Sequence, residues 1–271
     1  MPRNHFGMTL AAILLALTTS SLGHATPVTW KTSDGVTVAA DAEGSGAQAV
    51  VFVHGEARSR ADWAPLASAV ARGGMMALNL DLRGHGATAM PTGTVLDAAT
   101  WPGALRDVQA AVTYARSKGA KDVTIVGADV GGLLALATAA ADPQVTTVVL
   151  ASPKLSGGGV KVTDALAGLG SRPLLLFALT SDPTGVKNAG ALRDRAGGPN
   201  RLELVDPGTS AGTSAATVLA RNTKVEALLL SWVRARGRLD AAGNAASTQA
   251  TIETPGDVKT SGTKIGEAPK P

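Results

Sequence analysis

The 271-residue sequence contains no cysteine. Disulfides, zinc–thiolate sites, iron–sulfur clusters and a thiol nucleophile are therefore excluded. Histidine is scarce: His5, His24, His54 and His85 all fall in the first third of the chain. That leaves little material for a histidine metal cage, and no metal or other cofactor is expected. Aromatic residues make up only 3%, too few for a base-stacking platform. The 25 Lys+Arg and 21 Asp+Glu are scattered without a basic face, so nucleic acid is not an expected partner. The one basic cluster, Arg234, Arg236 and Arg238, closes an expected helix, where cations favour the dipole. The longest early apolar run, Met8 to Leu17, falls short of the ~20 residues a bilayer span needs.

What the sequence does have is apolar mass. Hydrophobic residues reach 45%, which excludes wholesale disorder, and the length allows one large domain or two small ones. The first stretch has a short positive start (Arg3), the apolar run, and small residues ending in Gly23-His24-Ala25. That pattern describes a secretory signal peptide cut after Ala25. The chain is thus expected to divide into a leader (1–25), a folded domain (26–238) and a tail (239–271). From Ala241 onward Ala, Gly, Ser, Thr, Pro and Lys dominate. Such a segment buries too little to offset its ordering entropy, so a disordered tail is expected. The expected location is periplasmic or extracellular, with no membrane span once the leader is removed.

Between leader and tail, strand and helix signals alternate. Val28–Lys31 and Val36–Ala39 flank the hairpin pair Asp34-Gly35. Gln48 to Val53 is a continuous β-branched run, as expected of a strand buried on both faces. Further strands are expected at 75–82, 123–126, 145–150, 173–179 and 201–205. Helices are expected at 63–71, 104–117, 131–141, 163–169, 186–196 and 224–236, the last stopped by Gly237. Alternation of this kind means a mostly parallel sheet of about eight strands covered on both faces, with the hairpin adding antiparallel strands at one edge.

Three loops at the carboxyl ends of strands stand out, where open α/β sheets place their sites. They are His54-Gly55-Glu56, Asp81-Leu82-Arg83-Gly84-His85-Gly86, and Gly127-Ala128-Asp129-Val130-Gly131-Gly132, which runs straight into a helix. With these motifs in this order, residues 28–237 resemble an α/β-hydrolase, closest to small bacterial esterase and dienelactone-hydrolase-like members with no cap domain. The resemblance implies a nucleophile elbow, a strained strand–turn–helix with the pattern G-x-S-x-G. Its close glycines would be Gly127 and Gly131, and its oxyanion donors the backbone N–H groups of Glu56 and Val130. The acid of the triad falls at Asp182, and the loop that should carry the histidine base reads Pro207-Gly208-Thr209-Ser210-Ala211-Gly212.

Two of the three catalytic positions depart from that pattern. Asp129 stands where serine is expected, and Ala211 where histidine is expected. A carboxylate nucleophile is used by haloalkane dehalogenases and epoxide hydrolases of this fold. Those enzymes still need the histidine to hydrolyse the ester intermediate. They also carry a cap, for which 152–172 is too short. In addition, Val130 replaces a halide-binding Trp, and Tyr114 is the only tyrosine. His54 and His85 belong to loop motifs that shape turns. Three readings of Asp129 follow: a carboxylate that caps the next helix, part of an acidic pocket with Asp182 and Glu56, or a working nucleophile or general base. The leading expectation is an exported protein that resembles an esterase but is catalytically degenerate, binding a small molecule at the sheet's carboxyl edge or a partner. An active Asp129 hydrolase and a structural protein of the envelope are the alternatives.

Overall fold

A computed structural model describes residues 24–91, 100–210 and 213–239. The expected leader lies outside these residues except for its last two, and the expected tail except for Leu239. That residue packs against the core.

The strands, in chain order, are β1 (Thr26–Lys31), β2 (Thr37–Glu43), β3 (Gln48–Val53), β4 (Met76–Leu80), β5 (Asp122–Ala128), β6 (Val145–Ala151), β7 (Ser156–Gly157), β8 (Val160–Lys161), β9 (Leu174–Leu179) and β10 (Asn200–Val205). All but the short β7 and β8 join one sheet of eight, in the order β1-β2-β4-β3-β5-β6-β9-β10. β2 pairs antiparallel with both β1 and β4, and every pairing from β4 to β10 is parallel. The first hairpin is looser than an Asp-Gly two-residue turn. Its ladder ends at Lys31↔Thr37, and the loop closes on itself through Gly35 N–H to Thr32 C=O, with Gly35 at φ +85°.

The continuous apolar run of β3 is explained by its two buried faces. Ala49, Val51 and Val53 point into one core, with α2 (Ala104–Ser117), α3 (Val130–Ala141), α4 (Val162–Leu169) and α5 (Pro183–Arg193). Val50 and Phe52 point into the other, with α1 (Ala64–Arg72), α6 (Ala215–Leu219) and α7 (Thr223–Arg234). Period-2 geometry makes such a strand apolar at every position. α5 begins three residues earlier than the periodicity suggests, because Asp182 caps it and Pro183 fits the first helical turn. α7 stops where Gly237, at φ +73°, donates its N–H to the Trp232 carbonyl.

One small element has no sequence signal. Residues 152–161, between β6 and α4, carry the two-stranded hairpin of β7 and β8. Gly157, Gly158 and Gly159 all take positive φ. A Cβ on Gly158 would lie 3.0 Å from the Val130 side chain, and one on Gly159 would collide with Pro102. The hairpin therefore lies directly over the start of α3. It is far smaller than a cap domain.

Candidate active site

The turn between β5 and α3 is built from its glycines. A Cβ on Gly127 would run into the Gly131 carbonyl, and a Cβ on Gly131 into the His54 carbonyl. Strand, turn and helix are thus pressed together more closely than any side chain allows. Asp129, at the tip, is held at φ 54° and ψ −124°, a conformation that costs a non-glycine residue on the order of 1–3 kcal/mol. Ala57 and Ser152, which follow β3 and β6, also take positive φ (54° and 40°). Three of the four described non-glycine residues with positive φ thus sit on the loops that meet at the carboxyl edge; the fourth, Arg236, follows α7.

Asp129 is the N-terminal cap residue of α3 by position, but its side chain makes no capping hydrogen bond. Of the helix-stabilising reading, the capping hydrogen bond is absent, and what is left is the favourable placement of a carboxylate at a helix N-terminus. The carboxylate instead turns outward to neighbouring loops. Its Oδ2 accepts the Glu56 N–H at 3.3 Å, and its Oδ1 meets Lys154 Nζ at 2.9 Å. Lys154 also reaches Glu56 Oε2 at 3.4 Å. The Asp129 carboxylate raises the lysine's pKa above its ordinary value. These three side chains keep from roughly a third to just over half of their surface in water. Such a pair contributes on the order of 0–1 kcal/mol.

Lys154 is the residue that sequence reasoning missed. It also corrects the acidic-pocket reading: Asp129 and Glu56 do converge, but on an ammonium from the chain itself. Asp182 stands apart from them. Its Oδ1 accepts the Gly185 N–H at 2.9 Å and caps α5, and no described hydrogen bond or ion pair links it to Asp129. Among the described residues no group of three or more His, Asp and Glu is arranged to hold a metal ion.

Both histidines near the elbow are committed to backbone. His54 is fully buried. Its Nδ1–H donates to the Gly55 carbonyl at 2.7 Å, and its Nε2 accepts the Leu82 N–H at 3.0 Å. Burial pushes its pKa down to about 4, so the ring is neutral at pH 7. His85 does the same one loop outward, donating to the Arg83 carbonyl at 3.1 Å and accepting the Ala57 N–H at 3.2 Å. Each Nε2 lone pair is used by an N–H, so neither ring offers a free basic nitrogen to a substrate or a water.

The loop after β10 is tied to the loop after β3. Asp62 accepts from Arg58 Nε at 2.7 Å and from the Ser214 hydroxyl at 2.9 Å. Burial would raise the Asp62 pKa, but the Arg58 guanidinium and the Ser214 and Thr217 hydroxyls outweigh it and hold the carboxyl below its usual range. Ala211, at the expected histidine position, lies outside the described residues, bracketed by Ser210 and Thr213. A cavity of about 600 Å³ lies between β10 and α7 and one of about 470 Å³ between β1 and α2; Asp129 lines neither.

Residues 44–195 match the family profile described as serine aminopeptidase, S33. No curated protein matches the chain. Among solved structures, an esterase from Pyrococcus furiosus superposes with a TM-score of 0.63 at 15% identity, covering 86% of this chain and 95% of that one. An esterase from Exiguobacterium antarcticum gives 0.59 at 15%, covering 77% and 100%. An alpha/beta hydrolase from Sphaerobacter thermophilus gives 0.55 at 19%, covering 73% and 99%. Likeness at this level of identity concerns the fold.

Proposed function

The chain belongs to the serine aminopeptidase S33 family of α/β hydrolases, and we propose that it is an exported member with a degenerate triad, which binds at its carboxyl edge without turning over. The observation that carries this reading is the state of Asp129: one carboxylate oxygen faces the Glu56 N–H and the other faces Lys154. The group at the nucleophile position thus fills the oxyanion donor itself, and its remaining oxygen is neutralised by an ammonium. A base is missing as well. His54 and His85 spend their lone pairs on backbone N–H groups, and the family's histidine position holds Ala211. Export is proposed from the Arg3, Met8–Leu17 and Gly23-His24-Ala25 pattern.

Short-chain aryl esters test the reading. The unmodified protein gives no sustained turnover, whereas Asp129→Ser with Ala211→His gives measurable turnover and each single change stays near background. A serine without imidazole remains a neutral alcohol, and an imidazole beside a carboxylate has no hydroxyl to deprotonate. Recovery is partial, because a placement error of ~1 Å can cost a hundredfold in rate. Adding Asp182→Asn to the double variant lowers what was gained. Robust multiple turnover in the unmodified protein, abolished by Asp129→Asn, would overturn the proposal.

One observation favours a second reading. The Glu56 N–H holds one Asp129 oxygen, as an attacking carboxylate is held, and leaves the other to the half-exposed ammonium of Lys154. Such a residue could be alkylated once by an epoxide or alkyl halide and then stall. Intact-mass measurement after incubation separates the readings, since only the second gives a stoichiometric adduct on Asp129.

A further inference from the structure

Aromatic rings are few in this chain, and the fold hides nearly all of them. Phe52, Phe177, Trp63, Trp101 and Trp232 are buried. Among the described residues only Trp30 of β1 and Tyr114 of α2 stay half-exposed, and both line the cavity of about 470 Å³ between those two elements. Their ring centroids lie 4.9 Å apart, with the planes tilted by 30°. Two sequence periods bring them together. Trp30 alternates with Val28 on the side of β1 that packs against the core. On α2 the helical repeat gives Tyr114 the same face as Arg106, Gln109 and Ala110, opposite the buried Val108, Ala111, Val112 and Ala115.

The charge of this cavity has one sign. Lys31 and Arg106 line it and no carboxylate does. Lys31 makes no hydrogen bond or ion pair with any described residue, and neither does the Gln109 side chain. Arg106 reaches only Asp34, at 3.4 Å, with half of its own side chain exposed. That carboxylate is already engaged by Arg83 at 2.8 and 3.1 Å and by the Thr32 hydroxyl. A further cation, Lys118, stands 5.2 Å from the Tyr114 ring centroid. The Thr113 and Ser117 hydroxyls, by contrast, are spent on their own helix, donating to the Gln109 and Tyr114 carbonyls. The donors left over are the Lys31 ammonium, the outer Arg106 N–H groups and the Gln109 amide.

Two costs therefore meet at one place: apolar ring surface left in water and cations without counter-charges. A flat ring carrying a negative group relieves both at once. We propose that the cavity between β1 and α2 is a binding site for small aromatic anions, of which an arene carboxylate is the simplest. The ring of the ligand lies against Trp30 and Tyr114, and its carboxylate meets Lys31 and Arg106. The volume is within the range of small-molecule pockets. Asp129 does not line this cavity, so the site stands or falls separately from the reading of the carboxyl edge.

Isothermal titration of the full chain with 2-naphthoate tests the proposal, with 2-naphthylmethanol as the neutral comparison and cyclohexanecarboxylate as the non-aromatic one. Naphthoate binds with a Kd below about 1 mM. The alcohol and the cyclohexane acid each bind at least about threefold more weakly. Lys31→Gln and Arg106→Gln each weaken naphthoate about threefold and together about tenfold, while the affinity for the alcohol stays as it was. Both side chains are exposed, so these variants keep the fold, which circular dichroism checks. Ala110→Gln exchanges one good helix former for another, occupies the cavity and removes naphthoate binding. No binding of naphthoate at millimolar concentration, equal affinity for the acid and the alcohol, or binding unchanged in Ala110→Gln would each overturn the proposal. So would a dimer in sedimentation velocity that Ala110→Gln dissociates, since a second copy of the chain then fills the cavity.

Discussion

Buried beneath the loop after β4, the His54 ring stays neutral well into the acid range, because burial pushes its pKa from 6.5 down to about 4. In the unfolded chain the same ring takes up a proton near pH 6.5. Its contribution to stability is therefore fully present above pH 6.5 and is lost as the pH falls toward 4, where the native ring finally charges. The linked loss is roughly 3 kcal/mol by pH 4. Chemical denaturation at a series of pH values checks it: His54→Gln flattens the dependence between pH 6.5 and 4.5. Carboxylates act in a lower window. Arg83 holds the Asp34 carboxyl well below its usual range, so the stability due to that pair falls only on further acidification. At this scale the sequence was informative about identity and silent about pairing. Asp129 could be located from Gly127 and Gly131, since their spacing is local. Lys154 could not, because its contacts with Asp129 and Glu56 span loops far apart in the chain. The only sequence trace of it is a cation just beyond a buried strand.

Two contacts between elements hold the carboxyl-edge loops in place. Asp107 of α2 is fully buried and pairs with Arg83 Nη2 at 2.7 Å, while accepting the Arg83 N–H at 2.8 Å. Arg83 also meets Asp34 of the first hairpin loop at 2.8 Å. Burial raises the Asp107 pKa despite the guanidinium beside it. For Arg83, burial is outweighed by the two carboxylates, which raise its pKa above the ordinary value. Asp107→Ala leaves a buried guanidinium short of a partner and lowers stability by about 3–5 kcal/mol in thermal unfolding. The second contact is the glycine-mediated approach of α3 to β3. Gly131→Ala sets a methyl group against the His54 carbonyl. It destabilises by about 1–3 kcal/mol, as overpacking does, although alanine is the better helix former; the same unfolding experiment decides the sign. The helices and strands were legible because their burial is periodic, as in β3 and α2. The β7–β8 hairpin was not, because Gly157–Gly159 carries neither β propensity nor an apolar alternation, and its shape is set by Val130 and Pro102 beneath it.

Taken whole, the domain is a single two-faced sheet in which chemistry-bearing side chains gather on one rim and the two long edges differ in character. Alternation along the sequence was enough to indicate that architecture, since a parallel sheet requires crossover helices. The proposed leader ends where the sheet begins: Thr26, the residue after the expected cut, is the first of β1 and lies opposite Ala42. Residues 24–27 are exposed, so the bond to be cut is open to a peptidase even beside the finished hairpin. Intact-mass measurement of protein recovered from the envelope or the medium gives a chain starting at Thr26; a chain retaining Met1 would refute export by this route.

The positive φ of Asp129 is imposed from outside. Gly127 and Gly131 press against carbonyls of neighbouring segments, and the residue between them takes whatever backbone angle that packing leaves. Descent therefore acts on the turn in two separable ways. Selection for folding alone preserves its shape, because altering the glycines disturbs helix and strand together, while the side chain at the tip is free to drift without the backbone registering the change. On the reading proposed above, chemistry at this turn is gained by new side chains on an unchanged frame.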